Sequence, residues 1–341
     1  MKVVNITNSG TQWRVFEKEK LEEHFGEVLD LPVGDLDGTK KILSSLKNQE
    51  FIVNWRPNSD VTNSSEHENI LRQRELLKDI PCINDPAGYL NSHTKEKAFS
   101  IWQKEGVNCP RHIVIDEVDA FEHDFNYPIL IRLNNEVSGQ ASYLVHNDIE
   151  LFHSLKMLEG QYYRALQTNP FVKMIAVEFI DATKESGKYN MSYRIIVAGD
   201  KVVTGYARLS ESSDWVAITG KFKPEMEESF VKYQKRCQNV IEQQHDAIVK
   251  AVHSLGLNHQ GVDAIEDQEG NLYFLECQPG YSTGYAHWAK PFYNPYYPEL
   301  VKFLVNNEER LKQEIPMYYN KWLNKETLFD EVMSSLREYV K

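Results

Sequence analysis

Asp263, Glu276 and Gln278 are the residues whose types and spacing point most directly to chemistry. They lie in two apolar runs, Gly261-Val262-Asp263-Ala264-Ile265 and Asn271-Leu272-Tyr273-Phe274-Leu275-Glu276-Cys277-Gln278, separated by Asp267-Gln268-Glu269-Gly270. Apolar runs flanking such turn residues predict a hairpin, with Asp263 and Glu276 on adjacent strands. Side chains alternate along a strand, so Glu276 and Gln278 point one way and Cys277 the other. Two carboxylates and an amide oxygen are hard donors that suit magnesium, an ion usually completed by water and substrate phosphates. A lone pair of acids on a hairpin is more often a solvated surface, so the surroundings must decide.

The surroundings resemble the ATP-grasp superfamily, in which an Asp on one strand is followed across a turn by Glu-x-Asn. Gln278 stands where Asn is usual; it keeps the amide oxygen on a longer stem. Pro279-Gly280 follows at once. Other parts of that pattern occur in order. Lys95 opens a helical run through Ala98, Ile101 and Trp102 to Gly106 and Pro110, similar to the segment whose lysine reaches ATP phosphates, with Lys97 as the neighbouring choice. Tyr127 to Arg132 is a buried-type strand on which Arg132 replaces a second phosphate lysine, and Ser138-Gly139 follows in the loop that closes over the triphosphate. Guanidinium also binds phosphate, as a planar fork. Met174 to Asp181 resembles the link between the lobes: Glu178 with Phe179 and Ile180 would hold the adenine edge, and Asp181 or Glu185 the ribose. Arg194-Ile-Ile-Val197-Ala-Gly199-Asp200-Lys-Val202-Val203 is similar to a stretch of ribosomal-protein glutamate ligases, which makes Arg194 and Arg208 candidates for phosphate or acyl phosphate. Solvated strand-edge arginines are the bland alternative for both.

The elements that must position these residues follow from periodicity. Lys2 to Thr7, Phe51 to Asn54 and Pro81 to Ile83 read as parallel strands with helices between them, including Glu66 to Ile80. Arg56 follows the second strand at its carboxyl end, where it could bind a substrate carboxylate or stack on Trp55. Ser192 to Val203 predicts a hairpin about Gly199-Asp200. A long helix from the acid-rich stretch after Lys223 to Gly256 carries Phe230, Cys237, Ile241, Ile248 and Val252 on one stripe, which is core packing. Residues 281–297 are rich in Tyr, Phe, Trp and Pro, and supply His287 and Lys290 as candidate substrate contacts. Amphipathic helices are expected over Pro298 to Glu314 and Lys325 to Tyr339.

Composition narrows the classes further. A formal charge of −12 argues against a nucleic-acid surface, which would be basic, so anionic substrates must meet local cations. Cys82, Cys109, Cys237 and Cys277 have neither metal spacing nor a disulfide framework, in keeping with a reducing cytoplasm. No signal peptide or membrane-length apolar run is visible. Dinucleotide, P-loop, zinc-protease and serine-hydrolase motifs are missing from the sequence.

The resemblance therefore implies a mixed α/β (α+β) ATP-grasp fold: a parallel pre-grasp unit over 1–90, one lobe over 91–177 and a second over 178–341. It implies an ATP- and Mg²⁺-dependent carboxylate–amine ligase working through an acyl phosphate, as in ribosomal-protein glutamate ligases and D-alanine–D-alanine ligases. A pair of Mg²⁺ ions, or Mn²⁺ in their place, fits the same donors. Partners would be small or peptide acids and amines. A homo-oligomer, a grasp-fold kinase acting on a hydroxyl, and a nucleotide binder without chemistry stay open.

Overall fold

The computed structural model describes residues 1–7, 12–56, 64–135, 141–185, 187–211, 222–278 and 298–340, with backbone alone at 12–16, 278, 298 and 325. The first unit runs β1 (Lys2–Ile6), α1 (Gln12–Phe25), β2 (Val28–Leu31), α2 (Leu36–Ser45), β3 (Phe51–Trp55), α3 (Ser64–Leu77) and β4 (Cys82–Ile83). Its strands pair in parallel, in the order β2-β1-β3-β4. Val3, Val4, Ile52 and Val53 are all buried, as befits strands covered on both faces. The sequence reading anticipated three of these strands; β2 is a four-residue run broken by Asp30, too short to declare itself.

Two helices lead to the next sheet, α4 (Pro86–Ser92) and α5 (Lys95–Glu105). Asp85 caps α4 by accepting from the Ala87 amide at 2.6 Å, and α5 ends on Gly106 with φ 67°. Strands β5 (His112–Ile115), β6 (Ile129–Leu133), β7 (Ser142–Val145) and β8 (Met174–Glu178) form an antiparallel sheet in the order β5-β8-β6-β7. A 3₁₀ turn at Val118–Ala120 follows β5, and α6 (Asp148–Leu166) follows β7. Helix α6 covers one face, packing Leu151, Leu155 and Leu158 with Ile129, Ile131 and Leu133. Alternation then sends Arg132 to the opposite face.

The largest sheet consists of β9 (Thr183–Lys184), β10 (Tyr189–Ala198), β11 (Lys201–Glu211), β12 (His259–Glu266) and β13 (Leu272–Gln278), in the order β11-β10-β12-β13 with β9 on β10. Both predicted hairpins are present. The single helix expected before β12 is two, α7 (Glu227–Gln243) and α8 (His245–His253), after a 3₁₀ turn at Pro224–Met226. Gln244 leaves helical geometry at φ −115°, ψ 19°, yet Cys237, Val240 and Ile241 before it and Ile248, Ala251 and Val252 after it stay buried. The break bends one apolar stripe along a twisted sheet.

The expected Pro298 to Glu314 helix is likewise split, into α9 (Pro298–Asn306) and α10 (Glu308–Glu314), and a π-helical turn at Met317–Trp322 precedes α11 (Lys325–Tyr339). These helices cover the other face of β10 and β11. Trp322 stacks on Tyr206 with ring centroids 4.3 Å apart, and the Ser335 hydroxyl donates to the Ala198 carbonyl at 2.6 Å. They also bind the first unit, since Asp330 meets Lys20 at 2.9 Å and His24 at 3.1 Å. One apolar cluster accordingly joins Val3, Phe25, Tyr206, Phe329 and Leu336. A second seam is closer still: a Cβ on Gly88 of α4 would stand 2.3 Å from the carbonyl oxygen of Gly256, itself at φ +81°. No described helix is long and apolar enough to cross a membrane.

Candidate active site

The register of the large sheet builds the site. Arg194 on β10 lies opposite Asp263 on β12, and Asp263 lies opposite Glu276 on β13. Directly opposed residues share a face, so the three form a row. The ladder shifts immediately after Asp263, a bulge of the kind that re-aims side chains. The face carrying the row is the one that Tyr206 and the C-terminal helices cover further along; α7 and α8 occupy the other.

Cations close on both carboxylates. Arg194 grips Asp263 with two nitrogens: Nε donates to Oδ1, and Nη2 to Oδ2 at 2.7 Å. Arg208 of β11 adds Nη2 to Oδ2 at 3.1 Å, while its Nε donates to the Ser192 hydroxyl at 3.0 Å. Lys95, at the first turn of α5, reaches Glu276 at 2.6 Å. Burial alone would raise the Glu276 carboxyl, but the charge and hydrogen bond of Lys95, then the charges of Arg194 and Arg132, hold it at about 2. Burial works against the charge on Arg194 too, and Asp263 overrides it, keeping the guanidinium ionised. Cys277 points away, into the core, where burial pushes its thiol up.

The structure thus brings together Lys95, Arg132, Arg194, Arg208, Asp263 and Glu276. Lys97 is exposed further along α5. Glu178 ends β8 and accepts from the Arg111 amide at 3.3 Å, with the Arg111 guanidinium 3.6 Å away; Phe179 and Ile180 follow it half-buried. Asp181 is exposed and accepts from the Thr183 amide at 2.9 Å. Two of the predicted residues meet the protein's own groups. Glu185 turns its carboxylate onto Ser229 at 3.0 Å and Lys232 at 3.2 Å, on α7. Arg56 is fully buried, so the carboxylate it meets is the protein's own Glu17 at 2.7 Å, with the His259 ring 3.1 Å away. Ser138, Gly139 and His287 lie outside the described residues, as does the side chain of Gln278, whose backbone pairs with Gly261.

Two supporting residues escaped the sequence reading. Ser192 sits two positions before Arg194 and so shares its face, a relation that alternation alone could have revealed. Arg111 reaches Glu178 only because His112 pairs with Val177 across β5 and β8, which no local pattern announces.

A parallel α/β unit followed by two antiparallel sheets, with the acids on one sheet and cations offered from its surroundings, is the architecture of the ATP-grasp class. Solved structures with the same fold include the L-amino acid ligase from Bacillus licheniformis, at TM-score 0.54 and 15% identity, covering 84% of this chain and 71% of that one. The N5-carboxyaminoimidazole synthetase from Staphylococcus aureus complexed with ADP aligns at TM-score 0.52 and 10% identity, covering 83% and 72%.

Residues 92–285 match the RimK-like ATP-grasp domain, and the chain belongs to that family. Among curated proteins it is similar to a D-alanine–D-alanine ligase of Nitrosospira multiformis, 24% identical over 194 residues that cover 54% of this chain and 56% of that protein. It is also similar to a probable α-L-glutamate ligase of Rhodopirellula baltica, 24% identical over 207 residues that cover 59% and 44%. The chain spans about half the length of the curated relatives it matches.

Proposed function

We propose that the chain is a cytoplasmic ATP-dependent ligase that joins a carboxylate to an amine through an acyl phosphate. The observation that carries this reading is the Asp263–Glu276 row ringed by Lys95, Arg132, Arg194 and Arg208. Among the described residues this cluster has more cations than carboxylates, which suits a polyphosphate. The donor set also suits divalent ions: Asp263 and Glu276, with Gln278 completing them, would hold Mg²⁺, which when bound neutralises phosphate charge.

In this reading the pre-grasp unit is 1–90, and the lobes are 91–177 and 178–341. Glu178 and the backbone of Phe179 and Ile180 hold the adenine edge, Asp181 or Glu185 the ribose, Lys95 and Arg132 the phosphate tail, and Ser138-Gly139 the covering loop. A carboxylate oxygen of the acid attacks the γ-phosphorus, the bond to the β-phosphate oxygen breaks, and ADP leaves an acyl phosphate. The amine attacks the acyl carbon, its nitrogen loses a proton, and phosphate departs as the amide forms. Arg194, with Arg208 beside it, stabilises the negative intermediate, and His287 is the candidate contact to substrate. Positioning and charge supply most of the rate. The curated relatives are named as ligases of D-alanine and of glutamate, so amino acids and peptides are the substrates to try first.

The test is a thermal-shift titration with ADP or a non-hydrolysable ATP analogue, with and without Mg²⁺, on the native chain and Glu276→Ala. At a hundredfold excess over Kd, nucleotide should add about 2.7 kcal/mol of stability. The Mg²⁺-dependent part should vanish in Glu276→Ala. Product analysis should then find ADP, free phosphate and an amide; a phosphorylated acceptor would make the chain a kinase instead. A folded native chain that no nucleotide stabilises would sink both.

A further inference from the structure

Asn134 is fully buried just past the end of β6, two residues beyond Arg132. The register that sets Leu133 opposite Met174 brings Asn134 beside Lys173. The Asn134 N–H donates to the Lys173 carbonyl at 3.0 Å, one half of the exchange that a hydrogen-bonded antiparallel pair makes. The other half is made by a side chain. The Lys173 N–H donates to Oδ1 of Asn134 at 3.0 Å, while the main-chain carbonyl of Asn134 accepts the Lys95 N–H at 3.1 Å.

Lys95 is the first residue of α5, and the first amides of a helix have no partner within it. The Thr94 side chain caps none of them. A strand carbonyl serves the Lys95 amide here because a carboxamide has taken that carbonyl's place in the ladder. The nitrogen of the same carboxamide fixes the arrangement: Nδ2 donates to Oε2 of Glu96 at 2.9 Å and to the Phe171 carbonyl at 3.0 Å. Both of its hydrogens are committed. Aspartate would keep the acceptor for Lys173 but set a second carboxylate against Glu96, so the site is built for an amide.

We propose that Asn134 is a positioning residue for nucleotide binding: its carboxamide replaces its own carbonyl in the pairing with Lys173, and the carbonyl so released holds the start of α5, and with it Lys95, at a set spacing from Arg132. These are the two cations that the ligase reading gives to the phosphate tail, and the inference rests on that reading. An anion gripped by both gains from a spacing fixed beforehand, because binding then spends little on ordering them.

Amide hydrogen exchange tests the geometry without nucleotide. In the native chain the Lys95 amide should exchange as slowly as amides in the middle of α5. In Asn134→Ala the carbonyl is able to return to the ladder, so the Lys173 amide should stay protected while that of Lys95 exchanges at least tenfold faster. Calorimetric titration with ADP tests the role. Asn134→Ala should weaken binding at least tenfold in the native background and less than twofold in Lys95→Ala, since a residue that acts through Lys95 then has nothing to act on. An unprotected Lys95 amide in the native chain overturns the inference even where Asn134→Ala fails to fold. A loss of ADP affinity repeated in full on Lys95→Ala also overturns it, and marks Asn134 as merely structural. Binding that needs Lys95 but is indifferent to Asn134→Ala overturns this inference and leaves the ligase reading standing; no ADP binding, or binding indifferent to Lys95→Ala, sinks the phosphate role of Lys95 and this inference together.

Discussion

Glu276 is outnumbered by the cations around it, and its acidity follows from them. Its carboxyl is held at about 2, below the ordinary 4.5, so the folded chain keeps it ionised where the unfolded chain would protonate it. The stability this contributes is full above pH 4.5 and is lost as pH falls from there towards 2. Melting temperatures measured across that range should fall more steeply for the native chain than for Glu276→Gln, which has no proton to take up; parallel curves would mean that Lys95 does not hold Glu276 in solution. Asp263, Glu276 and Lys95 could be picked from the sequence because a hairpin transmits its register and a helix start fixes its first turn. Arg56 could not. What surrounds it is Glu17, on a helix reached through 39 residues of chain, and only folding brings the two together.

Strands and helices differ in how much of them was legible. Both hairpins of the large sheet were evident from apolar runs on either side of turn residues, and the apolar stripe through α7 and α8 was evident too, apart from Val231, which α7 buries with Phe230 in the cluster of the C-terminal helices. The interruptions at Gln244 and Asn307 were not, because neither residue is a helix breaker and each bend answers to the surface beneath it. The π-helical turn at Met317–Trp322 is of the same kind. It sets Trp322, 2% exposed, against Tyr206 at an interplanar angle of 30°, and Tyr206 lies opposite Arg194 in the β10–β11 ladder. Trp322→Ala should therefore cost about 3–5 kcal/mol in urea unfolding. It should also weaken ADP binding, because Tyr206 would lose the ring that holds it beside Arg194. Nucleotide affinity unchanged in a destabilised variant would separate the two roles.

At the scale of the whole molecule, a chain of net charge −12 gathers cations where two acids meet, so that an anion disfavoured by the net charge finds local attraction at the candidate site. The ends of the chain hold this arrangement in place, since α11 ties α1 to β10 through Asp330 and Ser335. Net charge was readable from composition; the C-terminal helices as a brace between the first unit and the large sheet were not, because amphipathicity says that a face is buried and never against what. The seam between Gly88 and Gly256 has a consequence for descent. A Cβ at position 88 would collide with backbone at 2.3 Å, and position 256 sits at φ +81°, so neither has a substitute that leaves its neighbour unmoved. In a library sampling every amino acid at every position, these two sites should return glycine alone, while Gly187, also at positive φ but with nothing within 4 Å, should accept Asn. Lineages that diverge at the candidate active site, and so change what they join, should still share this pair as a record of common ancestry.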